Sequence, residues 1–160
     1  MARDGETLED VRLLGGKFRN FSGGPDNFNR KGGKRYFSIG LSPEQAEYLN
    51  SLGWPVKVLP PRDEEDEPLN FIKVNFNFDG KVPPKIVMVT SRGSTLLDED
   101  NVNVLDYALI IKTDLIVRPY NWTGSDGEEG ISVYLKSLYV TIEEDELETK
   151  YNTALIEFED

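Results

Sequence analysis

The sequence predicts a mainly β domain, folded as a small, partly closed barrel of five to seven strands with one firm α-helix. Three observations carry that expectation. Apolar and polar residues alternate over several short runs, clusters of glycine, proline and asparagine punctuate them, and one segment alone has a full set of helix-start signals. The 160 residues suit one domain, and a 38% hydrophobic share is enough for a core at that length without covalent staples.

Taken in order, residues 1–10 are polar, with little period, and are expected to fray. Residues 17–21 and 34–41 read as strands, joined by a glycine- and asparagine-rich connection that carries several bases. Ser42-Pro43-Glu44 opens the helix with a serine cap, a proline at the first position and an acid in the first turn, and Gly53 stops it. Residues 54–59 form a short strand ended by Pro60-Pro61, and the acidic run after it is a loop. In the next strand Ile72, Val74, Phe76 and Phe78 face one way, and Phe71, Lys73, Asn75 and Asn77 the other. Asp79-Gly80 turns the chain into a strand at 85–90. Ser91-Arg92-Gly93-Ser94 is a loop, followed by a short helix around 98–105. The β-rich runs 109–117 and 131–142 bracket a loop at 122–130. Within the last run, Ile131, Val133 and Leu135 keep one phase while Leu138, Val140 and Ile142 keep the other. A period of two switches phase only through an inserted residue, so a bulge is expected near Ser137. Many strands and one helix make an OB-fold the leading architecture and a sandwich the alternative. The expected division is a flexible N-terminus (1–11), an OB-fold-like domain (12–142) and an acidic C-terminal tail (143–160).

Composition removes whole classes of chemistry. Cysteine and histidine are both absent, which excludes disulfides, thiol nucleophiles, Cys/His zinc sites, Ser-His-Asp triads and histidine acid–base catalysis. No window approaches a membrane span, and the start lacks a signal peptide's apolar run, so a soluble protein that stays where it is made is expected. The net charge is −11, which at face value argues against polyanion partners. That average conceals a polarity. Residues 12–35 hold seven basic groups against Asp26 alone, whereas residues 141–160 hold eight carboxylates against Lys150. An acidic whole can therefore coexist with a basic, phosphate-sized patch.

Three strands each place an aromatic ring beside a lysine on the face that should meet solvent: Tyr36 with Lys34, Phe71 with Lys73, and Tyr134 with Lys136. Bases stack on a π-face while phosphates meet a cation, so this pairing suits a single-stranded nucleic acid. Arg118-Pro119-Tyr120-Asn121-Trp122 adds a guanidinium and two more rings beside a glycine-rich loop. Tyrosines on strands are also common for packing reasons alone. The acidic runs 63–67 and 143–146 offer a rival, a Mg²⁺-dependent nuclease, but contiguous carboxylates splay apart and make poor metal ligands. No phosphate-cradling glycine spacing is present, and no cofactor or metal is expected. The chain finishes Glu157-Phe158-Glu159-Asp160, a phenylalanine within terminal acid that suits a basic, apolar pocket on a partner or the chain's own basic groove, although composition alone favours an ordinary acidic tail that aids solubility.

Several blocks carry a resemblance. Phe18-Arg19-Asn20-Phe21-Ser22-Gly23, Gly53-Trp54-Pro55-Val56-Lys57-Val58-Leu59-Pro60-Pro61-Arg62 and Pro83-Pro84-Lys85-Ile86 are similar to a family of bacteriophage single-stranded DNA-binding proteins. So are Asp114-Leu115-Ile116-Val117-Arg118-Pro119-Tyr120-Asn121-Trp122 and the stretch from Tyr134-Leu135-Lys136-Ser137-Leu138 to Glu148. The resemblance spans residues 12–151. It implies an OB-fold that coats single strands in phage replication, recombination or repair without catalysis, in the cytoplasm of the infected bacterial host. It also implies a basic cleft and an acidic tail on an acidic whole, with phage or host replication proteins as candidate partners of that tail.

The residues expected at the nucleic acid are therefore Arg19, Arg30, Lys31, Lys34, Arg35, Lys73, Arg118 and Lys136 for phosphates. Phe21, Phe28, Tyr36, Phe71, Tyr120, Trp122 and Tyr134 are expected for stacking. The acids Glu128 and Glu129 would weaken binding if their loop lines the groove. The alternative reading is an acidic interaction module or DNA mimic that occupies a host protein; the basic 12–35 segment counts against it. Trp54, just after the helix stop, is expected in the core.

Overall fold

Where the sequence alternates, the chain builds barrel wall. The computed structural model describes residues 5–24, 33–61, 63–80 and 83–143. Among the described residues nine strands follow in order: β1 (Glu6–Leu13), β2 (Arg19–Asn20), β3 (Arg35–Leu41), β4 (Lys57–Leu59), β5 (Leu69–Phe76), β6 (Lys85–Thr90), β7 (Gly93–Leu97), β8 (Ile110–Thr123) and β9 (Glu129–Ile142). One α-helix, α1 (Pro43–Ser51), sits between β3 and β4, and 3₁₀ turns occupy Gly16–Phe18 and Val102–Asp106.

Five strands close a ring. β3 pairs antiparallel with both β1 and β5, β1 with β8, and β8 with β9, while β9 returns parallel to β5 through the single pair Asn75↔Tyr134. This is the Greek-key closure of an OB-fold. Outside the ring, β4 extends the sheet beyond β5, and the β6–β7 hairpin extends it beyond β9. The barrel interior takes the apolar phase of each wall: Phe37 and Ile39, Ile72 and Val74, Leu115 and Val117, Val133 and Leu135. Leu49 of α1 and Trp54 join the same core, as the sequence predicts for the tryptophan. The α1 start is a full capping box: Ser42 Oγ accepts from the Gln45 N–H while Gln45 Oε1 accepts from the Ser42 N–H.

The phase switch in β9 is a bulge. Ile116 faces Ser137 and Val117 faces Leu135, which leaves Lys136 as the extra residue. Leu135 and Leu138 consequently both point inward although three positions apart.

Four local expectations are revised. β1 begins at Glu6, within the stretch expected to fray: a register shift between Leu8 and Val11 breaks its alternation and hides the strand, and Asp10 adopts φ 54° there with its N–H on Asp114 Oδ1 at 2.7 Å. The strand expected at 17–21 is reduced to β2, because the 3₁₀ turn Gly16–Phe18 takes its first half. Gly93 and Ser94, read as loop, open β7, so the turn shrinks to Ser91-Arg92. The loop expected at 122–130 shrinks to residues 124–128, because β8 and β9 continue pairing to Thr123↔Glu129.

That continued pairing shapes the working surface. β1 accompanies β8 only as far as Val117. Beyond it, among the described residues, β8 pairs with β9 alone as a two-stranded arm, and Pro119 sits within β8 where no described strand faces its nitrogen.

Candidate nucleic-acid interface

The outward phase of the barrel collects rings and cations on one face. Three registered pairs set a single lateral row: Tyr36 of β3 faces Asn75 of β5, Asn75 faces Tyr134 of β9, and Tyr134 faces Arg118 of β8. Alongside that row Ser38 faces Lys73 and Gly40 faces Phe71 on one side, while Ser132 faces Tyr120 and Gly130 faces Trp122 on the other. Phe71 meets Phe18 edge-on, with centroids 5.3 Å apart, and Lys17 lies 5.3 Å from the Phe18 ring. Lys73 Nζ stands 4.5 Å above the Tyr36 ring. Tyr120 and Tyr134 meet edge-to-face at 6.0 Å. A cleft of about 320 Å³ opens between Asn77, Pro84, Arg118, Tyr120 and Tyr134, with Phe76 and Leu135 forming part of its wall.

Asn75 does more than occupy the row. Its Nδ2 donates to the Val133 carbonyl at 3.2 Å, a cross-strand tie beside the single ladder pair that joins β5 to β9. Gly130 matters for a different reason. A Cβ there would stand 2.2 Å from Cζ2 of Trp122, so the missing side chain is what lets the indole lie flat on β9. Trp122 remains 39% exposed and Tyr120 59% exposed. At the arm's tip, Asp126 accepts from the Glu128 N–H at 3.0 Å within the turn, and Asp126, Glu128 and Glu129 are all exposed.

The expected contact residues divide. Lys73, Arg118, Tyr120, Trp122 and Tyr134 share the face just described, and Phe71 lies half-buried at its border. Lys136 is exposed at the bulge, and Lys34 is exposed where the connection enters β3. Phe28, Arg30 and Lys31 lie outside the described residues, as do Glu157, Phe158, Glu159 and Asp160 of the tail. Phe21 is fully buried and stacks on Phe37 with centroids 5.1 Å apart, so it is core and presents no face to a base. Tyr36 points outward, yet only 5% of it is exposed beneath Lys73.

Arg19 and Arg35 serve the fold. The Arg19 guanidinium donates to the carbonyls of Leu14, Leu105 and Ala108 at 3.2, 3.0 and 2.9 Å. Burial pushes its pKa down from the ordinary arginine value, and the Asp106 carboxylate beside it opposes that shift. Asp106 in turn accepts the N–H groups of Phe21 and Ser22, so Arg19 and Asp106 together pin the start of the 14–34 connection to the Val102–Asp106 turn. Arg35 donates to the Phe21 carbonyl at 2.7 Å and covers the Phe78 ring. Sequence reasoning passed over Lys17 and Phe18, which a 3₁₀ turn brings beside Phe71, and it gave Asn75 no role beyond its face.

The carboxylates of 63–67 stand exposed in a turn, and among the described residues no three acids gather at a metal-sized site. Glu144, Asp145 and Glu146 lie outside the described residues. Among the described residues no helix is long and apolar enough to cross a membrane.

In OB-folds, the face of the second and third barrel strands takes up oligonucleotides, together with the loops joining strands one to two and four to five. Here those elements are β3 and β5, the 14–34 connection and the 124–128 turn. A protein-family model described as "Putative phage ssDNA-binding domain" matches residues 2–160. Among solved structures, the single-stranded DNA-binding protein from bacteriophage Enc34 in complex with ssDNA is similar, with a TM-score of 0.58 and 12% identity over 89% of this chain and 88% of that one. A second structure of the same phage protein gives a TM-score of 0.56 at 10% identity, covering 89% and 83% of the two chains. At such identities the likeness is one of fold. No curated protein sequence matches the chain.

Proposed function

Because the chain belongs to the phage ssDNA-binding domain family, we propose that it is a non-catalytic, sequence-tolerant single-stranded DNA-binding protein of phage DNA replication, recombination or repair. It works in the cytoplasm of the infected bacterial host. The observation that carries the reading is the row Tyr36, Asn75, Tyr134 and Arg118, which runs unbroken across four strands and is flanked by Lys73, Tyr120 and Trp122. Rings beside cations let bases stack while phosphates are neutralised, and neither contact depends on base identity. Tyr134, Tyr120, Trp122 and Phe71 supply the stacking faces. Arg118, Lys73, Lys17 and Lys34 supply the phosphate contacts, with Lys136 beyond them. Tyr36 joins when a phosphate draws Lys73 off its ring. The acidic C-terminus is proposed to engage phage or host replication proteins.

The test is a titration with a dT oligonucleotide of about 30 nucleotides, read by tryptophan fluorescence and gel shift, at low and high salt, beside a duplex of equal length. Tight, salt-sensitive quenching by the single strand with little duplex affinity is the expected result. A flat titration at low salt would overturn the reading and leave an acidic decoy for a host protein in its place.

A further inference from the structure

The sheet has two free ends, and the chain treats them differently. At one end, β4 is short, opens on Lys57 and is fenced by Pro55, Pro60 and Pro61. Prolines and lysines are the usual means of stopping an edge strand from pairing with another chain. At the other end, β7 reads Gly93-Ser94-Thr95-Leu96-Leu97, with no proline and no charge along its length, and among the described residues it pairs only with β6. Leu96 is 65% exposed on it.

The two sides of β7 can be told apart. Thr90 and Gly93 close the hairpin as the flanking pair of a two-residue turn, and Met88↔Thr95 and Ile86↔Leu97 repeat that relation. Antiparallel ladders alternate hydrogen-bonded and non-hydrogen-bonded pairs. Gly93, Thr95 and Leu97 therefore spend their backbone groups on β6, while Ser94 and Leu96 direct N–H and C=O to the uncovered side.

The strand is also complementary to itself. Arg92 precedes it and Asp98 follows it, each three residues from Thr95. In an antiparallel pair centred on Thr95, Ser94 meets Leu96 of the second copy with both outward backbone pairs in register. Arg92 meets Asp98 of that copy at each end, and the two Leu96 side chains meet diagonally on one face. Neither charge is committed elsewhere to an ion pair among the described residues; one Asp98 oxygen caps the Asp100 and Asn101 N–H groups and leaves the other oxygen available.

We propose that β7 is a self-association edge, joining two copies of this chain through a two-fold β7–β7 pair centred on Thr95. A pair of five-residue strands is small beside the ~1,200 Å² of stable interfaces, so association falls in the micromolar range and the copies join as concentration rises. The edge lies on the hairpin beyond β9, away from the Tyr36–Arg118 row, so two joined copies keep both DNA faces open.

Because the native chain has no cysteine, Thr95→Cys gives a clean test. Directly opposed residues of a non-hydrogen-bonded pair lie within disulfide reach. Mild oxidation should convert Thr95→Cys to a covalent dimer, whereas cysteine at Ser94 or Leu96 should give several-fold less. Sedimentation velocity on the native chain across a hundred-fold micromolar range should show reversible dimerisation, weakened about 3- to 10-fold by Arg92→Glu. Equal capture at all three positions would overturn the proposal. So would a Thr95→Cys chain that stays monomeric under oxidation, or a native dimer indifferent to Arg92→Glu. None of these readouts involves DNA, so their failure would leave the single-strand-binding reading untouched.

Discussion

Replacing Gly130 with alanine moves one candidate stacking ring and almost nothing else. Gly130 has no left-handed backbone angle, so alanine fits the strand conformation. Its new Cβ would stand 2.2 Å from Cζ2 and 2.6 Å from Cε2 of Trp122, against an ordinary contact limit of 3.4 Å, so the indole must retreat by about 1.2 Å or swing off the strand. Trp122 is 39% exposed near the end of the β8–β9 arm, which leaves it free to swing, so the fold should lose at most about 1 kcal/mol. A stacked base contributes about 1–3 kcal/mol, so losing the platform should weaken dT binding roughly 5- to 150-fold. Tryptophan emission separates the steps, because Trp54 is buried and constant while Trp122 should shift to the red in the free variant. The control is Trp122→Ala, on which Gly130→Ala should add no further loss of affinity. If emission shifts in Gly130→Ala while affinity stays native, Trp122 does not contact the strand and the arm is not part of the interface.

Three further predictions follow from particular contacts. Arg19→Met should lower stability by about 1.5–3 kcal/mol, because a charged donor leaves four carbonyls, those of Leu13, Leu14, Leu105 and Ala108, while the folded fraction binds dT normally; thermal melts and titration together check both halves. Thr113 is fully buried with Oγ1 unpartnered among the described residues, so Thr113→Val should raise stability by about 1 kcal/mol, and a lower melting temperature would refute that account. Arg118→Ala should flatten the slope of log affinity against log salt by about 0.7, the signature of one lost phosphate, with an unchanged slope arguing that Arg118 only shapes the cleft.

Much of the architecture is legible where a single rule decides. The capping signals around Ser42 locate α1, the period-two pattern of β5 sorts Ile72 and Val74 from Lys73 and Asn75, and the phase switch of β9 announces its bulge. What escapes the sequence depends on partners far along the chain. Nothing near Arg19 shows that its guanidinium will meet carbonyls 86 and 89 residues away, so it reads as a free cation. Phe21 lies one residue past a two-residue strand, too short for periodicity to assign its face, and burial against Phe37 and Phe76 decides the matter. β1 hides behind its own bulge, and β7 behind a glycine and serine that read as a turn.

The ring closes between β5 and β9 through one ladder pair and the Asn75 side chain, whereas β8 and β9 share an extended ladder. That joint is the barrel's weakest seam, and the Tyr36–Arg118 row runs straight over it. On the proposed reading, a strand of DNA lying along the row would act as a clasp, holding the two lips of the seam together from outside. Ligand occupancy and barrel closure become one equilibrium, in which each stabilises the other by the same amount. Backbone amides near Val74, Asn75, Val133 and Tyr134 should exchange with solvent more slowly once DNA is bound, while those in the core of α1 keep their native rate.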